Sequence, residues 1–357
     1  MLQRLLERRD SRVAVGLEQE LVNQCPAAGC GPGGRASCRT GLVFDPALFR
    51  PDAVPEETAE FNAALEETLR DAPTVMDIGP PAMREVREAG QGTFGPIVLS
   101  DMAEERTVPG PAGDVPVRLF VPDSPAGVLV YFHGGGWVLG RAHHADPLME
   151  RFATEANVAV VSVDYRLAPE DPYPAGPDDC EAAALWVLEN GVAEFGTDRL
   201  ATAGASAGAH LAAVTLLRLR DRHGYTGSAA TLLTYGVFDL SLTPGAATWG
   251  ERKLVLSTPF IEWTVEQFVP DRSRRREPDI SPLYANLTGM PPALFTVGTA
   301  DPILDDTLFM YARWVAAGND ADLDIHPGGV HGFNAFPIEA GRRANRRMVE
   351  FVQKHLG

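Results

Sequence analysis

Residues 200–210, Leu-Ala-Thr-Ala-Gly-Ala-Ser-Ala-Gly-Ala-His, set a serine between two glycines where an apolar run turns into a helical pattern. Few folds accept such a junction. A strand that reverses into a helix within so few residues forces Ser206 into a strained backbone conformation. Neighbours without a Cβ, Gly204 and Gly208, let strand and helix approach closely. The serine hydroxyl then projects from the end of a sheet, and the next amide lies at a helix N-terminus, where negative charge is favoured. This is the strand–turn–helix setting of the G-x-S-x-G elbow. A turn of small residues would carry the same letters, so the partners of Ser206 decide between the two readings.

Composition narrows the chemistry. Of the 31 basic residues only Lys253 and Lys354 are lysine, which removes S-x-x-K sites, P-loops and Schiff-base lysines. A net charge of −17 argues against nucleic acid, anionic membrane surfaces and anionic substrates as partners. Cys25, Cys30 and Cys38 crowd a Gly/Pro-rich stretch and Cys180 stands alone, which is neither a disulfide framework nor a complete zinc set. Free thiols and a reducing compartment are expected. No segment has the length of a membrane span. The first ten residues turn charged too early for a signal peptide, so a cytoplasmic location is expected.

Along the chain, residues 1–40 open on a candidate short helix that gives way to an aperiodic stretch, Cys25–Arg35, and are expected to be a flexible extension. Their G-x-G-x-x-G match, Gly29 to Gly34, has no preceding strand and contains Pro32, so it is not a dinucleotide site. Between 41 and 100 the pattern is helical, with candidates over Pro55–Leu69 and Ala82–Glu88. The period then changes. Val115–Val121, Val128–Phe132 and Val158–Val163 read as strands, the last two apolar throughout, as in strands buried on both faces. Helix and strand alternate from there: a helix near Pro177–Asn190, the elbow, strands Thr231–Tyr235 and Ala293–Val297, a helix Leu308–Ala317, a strand Leu323–His326 and a helix Ala340–His355. Such alternation predicts an α/β fold with a mostly parallel central sheet flanked by helices. Only residues 240–280, with Trp249, Phe260, Trp263, Phe268 and a basic run Arg272–Arg276, fit no βα unit.

The partners of the elbow follow in order. His133-Gly134-Gly135-Gly136-Trp137 ends the apolar strand Val128–Phe132. Consecutive glycines expose their amides, and preorganised N–H donors are often the largest catalytic term where a tetrahedral oxyanion forms. Gly134, Gly135 and Ala207 are the candidate donors. His331, in Gly-Gly-Val-His-Gly-Phe after the last strand, is the one of eight histidines placed to activate a serine. Asp301, in Gly-Thr-Ala-Asp-Pro after the strand Ala293–Val297, is the candidate acid. An N-cap before Pro302 competes for that residue, and Asp305 and Asp306 are alternative acids. The chain order Ser206, Asp301, His331 is that of the α/β-hydrolases.

Together these segments resemble the hormone-sensitive-lipase-like carboxylesterases of bacteria. The matching residues are His133–Trp137, Asp164-Tyr-Arg-Leu-Ala-Pro-Glu170 with Pro172–Ala175, Gly204–Gly208, Asp301–Asp305 and His331–Phe333, over roughly 41–357. The resemblance implies an α/β-hydrolase domain over 111–357 with a helical cap formed by 41–110 and an insertion near 240–280. It implies a small ester substrate of short to medium acyl chain, water as the second substrate, no cofactor and no metal, and a homodimer formed through a sheet edge. Trp137, Trp249, Trp263 and Phe333 are the candidate pocket lining. Ala205 departs from the family, whose members often carry a carboxylate or hydroxyl before the nucleophile. The alternatives at this point are an amidase or carbamate hydrolase using the same residues, and a non-catalytic small-molecule receptor on the same fold.

Overall fold

A computed structural model describes residues 45–357. The segment 1–40, with Cys25, Cys30 and Cys38, lies outside the described residues.

Eight strands form one sheet: β1 (Glu104–Val108), β2 (Val115–Phe120), β3 (Val128–Phe132), β4 (Ala159–Val163), β5 (Leu200–Ala205), β6 (Ala230–Thr234), β7 (Ala293–Ala300) and β8 (Ala321–Val330). Their spatial order is β1-β2-β4-β3-β5-β6-β7-β8. β2 pairs antiparallel with both β1 and β4, and the pairs from β4 to β8 are parallel. A strand covered on both faces is apolar at most positions, and β3, β4 and β6 are buried throughout. The pleat divides β3 between two cores. Val128, Val130 and Phe132 face one, and Leu129 and Tyr131 face the other.

The first core is closed by helices that follow β4, β5 and β7. These are α5 (Ala175–Phe195), α6 (Ala207–His223) and α9 (Leu304–Ala316), which contribute Val187, Leu216 and Trp314. The second is closed by α4 (Asp146–Glu155) and the C-terminal α10 (Glu339–Leu356), through Phe152 and Phe351. Full burial of each such side chain contributes roughly 1.5–3 kcal/mol relative to exposure.

Three helices precede the sheet: α1 (Glu56–Arg70), α2 (Val75–Ile78) and α3 (Pro80–Glu88). Two of them bond to β8 and to the loops that follow β3 and β4. Asn62 Nδ2 of α1 donates to the Gly328 carbonyl at 2.8 Å. Arg84 of α3 donates to the Val138 and Ala168 carbonyls and pairs with both oxygens of Glu170. Residues 240–280 hold two further helices, α7 (Pro244–Thr248) and α8 (Thr258–Phe268), and short 3₁₀ turns. Arg252, between them, pairs with Glu66 of α1 at 2.8 Å. Within the basic run Arg274 pairs with Glu277 at 2.9 Å, and Arg275 is buried against the Val269 carbonyl.

Several elements differ from the sequence expectation, two strands among them. β1 (Glu-Glu-Arg-Thr-Val) is an exposed edge strand whose charged residues give no apolar period. β8 extends past Pro327 to Val330, because its edge position leaves proline without a required ladder donor.

Candidate active site

The elbow follows from steric exclusion. Ser206 has φ 58° and ψ −121°, a region that L-residues rarely occupy. A Cβ on Gly204 would lie 2.2 Å from the Gly208 carbonyl, and one on Gly208 would lie 1.9 Å from the Phe132 carbonyl. Neither position tolerates a side chain. The Ser206 amide is engaged by the Thr234 carbonyl at 2.9 Å, so the strained turn is also tied to β6. Ala205 closes β5 half-buried against the second core.

β7 and β8 deliver the other two groups. Their pairing shifts register between Gly298 and Ala300, and Ala300 then faces Val330. A Cβ on Gly298 would lie 2.0 Å from the Gly329 carbonyl, so the two backbones touch where the register slips. The residues that follow the pair Ala300–Val330 are Asp301 and His331, which the two strands therefore bring side by side. His331 Nδ1 lies 2.8 Å from Asp301 Oδ2, and His331 Nε2 lies 2.8 Å from Ser206 Oγ. His331 is 5% exposed and Asp301 3%, which shields the pair from competing water.

Hydrogen-bond accounting fixes the proton. An ionised carboxylate only accepts, so Nδ1 of His331 carries the hydrogen and Nε2 is free to accept from the serine hydroxyl. The other oxygen of Asp301 accepts from the Ile303 amide at 3.0 Å, which holds the carboxylate plane. The neighbouring acids have other partners. Asp305 accepts from the Gly245 amide at 2.7 Å. Asp306 accepts from the Phe238 and Asp239 amides and the Thr243 hydroxyl, and burial pushes its pKa up to about 7.

The glycine loop crosses directly over Ser206. A Cβ on Gly134 would sit 2.9 Å from the Ala205 carbonyl and 3.4 Å from Ser206 Cβ, and one on Gly135, at φ 127°, would sit 2.0 Å from the Leu139 carbonyl. Among the described residues the amides of Gly134 and Gly135 donate to no protein acceptor. Ala207 opens α6, so its amide has no helical carbonyl to bond. His133 anchors the loop from below. Its ring stacks on Tyr165 at 4.2 Å, and the Tyr165 hydroxyl donates to the His133 carbonyl at 2.7 Å. Burial pushes its imidazole down to about 4, which keeps it neutral.

The four aromatic candidates for the pocket separate. Trp137 is buried, stacks on Phe268 at 4.7 Å, and donates from Nε1 to His210 Nδ1 at 3.1 Å. Phe333 is fully buried beneath the histidine loop, 4.7 Å from the His326 ring. Both rings are thus packed into the core, at 2% and 0% exposure. Trp249 is half-buried, donates to the Arg252 carbonyl at 3.0 Å and lies under its guanidinium. Trp263, on α8, is half-buried against the first core.

Two residues escaped the sequence reading. The Tyr235 ring lies edge-on to His331 at 4.8 Å, and its hydroxyl donates to Asn334 Oδ1. Tyr235 reads as the last residue of a strand, and Asn334 as loop, so neither carries a sequence signal.

A serine, a histidine and an aspartate stand in one hydrogen-bonded line beside a glycine loop, where parallel strands end, the arrangement expected of the α/β-hydrolase class. Comparison with known proteins agrees: the family described as alpha/beta hydrolase fold matches residues 129–335. The chain belongs to this family, in its hormone-sensitive-lipase-like branch. Two similar relatives come from Mycobacterium tuberculosis. The carboxylic ester hydrolase LipN is 33% identical over 77% of this chain and 75% of its own. The carboxylesterase NlhH is 39% identical over 71% of this chain and 82% of its own. Among solved structures, an esterase of Pyrobaculum calidifontis superposes with a TM-score of 0.74 at 31% identity, over 82% of this chain and 97% of the other.

Proposed function

We propose that this carboxylic ester hydrolase cleaves small esters of short to medium acyl chain through an acyl-enzyme on Ser206. The observation that carries the reading is the line Ser206 Oγ–His331 Nε2 and His331 Nδ1–Asp301 Oδ2, at 2.8 Å each. In the first step Ser206 Oγ attacks the ester carbonyl while His331 Nε2 takes its proton. Asp301 holds the imidazole in the required tautomer and stabilises the imidazolium. The carbonyl oxygen becomes an oxyanion facing the amides of Gly134, Gly135 and Ala207. His331 returns the proton to the leaving alcohol, and the ester bond is exchanged for an acyl–serine bond. Water, deprotonated by the same nitrogen, then releases the acid and regenerates Ser206. Every proton moves between groups already present, so neither a cofactor nor a metal has a role in this sequence.

Helices α1–α3 and the segment 240–280 act as the cap in this reading, and Trp249 and Trp263 are its remaining aromatic candidates. A cytoplasmic location and a homodimer through a sheet edge complete the proposal. No helix among the described residues is long and apolar enough to cross a membrane. Fractionation and light scattering test these two points.

The deciding experiment is hydrolysis of p-nitrophenyl esters of increasing acyl length by wild type and Ser206→Ala. Turnover that peaks at short chains, and a kcat lower by about 10⁶ in the variant, are expected where the three groups act as a unit. Folded protein without turnover at any length would overturn the esterase reading in favour of amides or binding alone.

A further inference from the structure

Outside the proposed active site, one cluster brings metal-binding atoms together from distant parts of the chain. Glu88 is the last residue of α3, while His143 and His144 lie on the 3₁₀ turn Ala142–Ala145 that leads into α4. Nε2 of His143 lies 3.0 Å from Glu88 Oε2, and Nε2 of His144 lies 3.0 Å from Glu88 Oε1. The two imidazoles meet edge to face at 4.6 Å, so both present the same nitrogen to one carboxylate. We infer that Glu88, His143 and His144 form a binding site for a divalent transition-metal ion of the zinc class.

The donor set selects the ion. Two imidazole nitrogens and one carboxylate suit zinc and its borderline neighbours better than calcium or magnesium, which take oxygen ligands. The spacing fits as well. Ligand atoms about 2.0–2.1 Å from a tetrahedral zinc lie roughly 3.3 Å from one another. The three donor atoms here lie within 4.8 Å of one another. Adjustment of exposed Glu88 and of side-chain torsions closes the difference, and water takes the fourth position. The partial negative charge at the C-terminus of α3 also favours a cation.

One feature opposes the ion. Arg87, beside Glu88, makes no ion pair among the described residues and holds its guanidinium carbon 5.8 Å from the Phe94 ring centre. Its charge competes with a metal for the same carboxylate. The site joins helix α3 to the loop that continues from Gly134–Gly136, so an ion there would tie the N-terminal helices to the catalytic core. The proposal does not rest on the esterase reading.

The test is calorimetric titration of Zn²⁺ into the full chain carrying Cys25→Ser, Cys30→Ser and Cys38→Ser, so that those thiols do not compete. One ion per chain with micromolar affinity is expected. Glu88→Gln and a double His143→Gln, His144→Gln variant should each weaken binding by at least about tenfold, since each removes a direct ligand. Near-UV circular dichroism identical to the parent shows that these variants fold. Arg87→Gln gives an independent reading, with binding tighter by about threefold or more. No saturable binding, an isotherm unchanged in the ligand variants, or weaker binding in Arg87→Gln would overturn the assignment.

Discussion

Replacing Asp301 by asparagine changes one oxygen into an amide, and the structure dictates which one. Oδ1 of Asp301 accepts from the Ile303 amide at 3.0 Å, so the asparagine must keep its oxygen there. The flipped arrangement would set two N–H donors against each other. The amide nitrogen therefore replaces Oδ2, 2.8 Å from His331 Nδ1. It can only donate, so Nδ1 must become the acceptor and the ring proton moves to Nε2. That nitrogen then points a hydrogen at Ser206 Oγ and cannot take the serine proton. An equivalent forced tautomer in a serine protease costs about 10⁴ in kcat, and at 1.36 kcal/mol per decade this is about 5.4 kcal/mol of barrier. We expect that loss in kcat for p-nitrophenyl butyrate, with folding stability within about 1 kcal/mol of wild type because no bond is orphaned. Asp305→Asn should change kcat by less than tenfold, since its partner is the Gly245 amide. A loss below tenfold in Asp301→Asn, or a larger loss in Asp305→Asn, would refute the tautomer argument and the choice of acid.

Three further outcomes concern stability. Gly208→Ala places a Cβ 1.9 Å from the Phe132 carbonyl, part of a central strand that cannot move. Its urea unfolding should show a loss above about 4 kcal/mol, or the protein should be insoluble. Arg218, buried on α6, donates to Asp178 at 2.8 Å and to both oxygens of Asp279 at 2.7 Å, so Arg218→Ala leaves carboxylates without their buried partner. A loss of about 3–5 kcal/mol is expected by the same measurement. His210 is neutral, donating from Nε2 to the Ile280 carbonyl and accepting from Trp137, and burial pushes its pKa from 6.5 down to about 4. The unfolded chain therefore takes up the proton first as pH falls. The contribution of His210 is complete above pH 6.5 and declines by about 3 kcal/mol on acidification towards pH 4. Unfolding midpoints measured across that window should flatten in His210→Gln, and an unchanged slope would remove His210 from the acid response.

Much of the fold was legible because burial on both faces leaves its mark on the letters. β3 and β4 are apolar runs broken only by Ser162, since each lies between two helical layers, and β6 buries Thr231 and Thr234 among apolar residues. β1 was not legible, because an exposed edge strand is stabilised by its ladder to β2 and its side chains are free to be charged. The helices of residues 240–280 were unread for a related reason. The connection between them is held to α1 by bonds such as Lys253 to the Arg70 carbonyl, which pair residues far apart in sequence, and spacing carries no trace of such contacts.

The site divides along the same line. Ser206, His331 and Asp301 each end a strand, and the order of parallel strands sets which loops meet, so local motif and chain order suffice to nominate them. The register slip that sets Asp301 beside His331 depends on Gly298 touching Gly329, and glycines in a loop-like run do not announce which backbone they approach. The aromatic candidates show the converse. Trp137 and Phe333 are adjacent or nearly so to active-site residues in sequence, which made them plausible walls. A loop that holds an amide or an imidazole at fixed distance must itself be held, and a buried ring is the densest way to do so. Trp137, wedged between Phe268 and His210, and Phe333, packed on the His326 ring, are supports of that kind. Nearness in sequence to a candidate catalytic group thus favours support as much as contact with substrate.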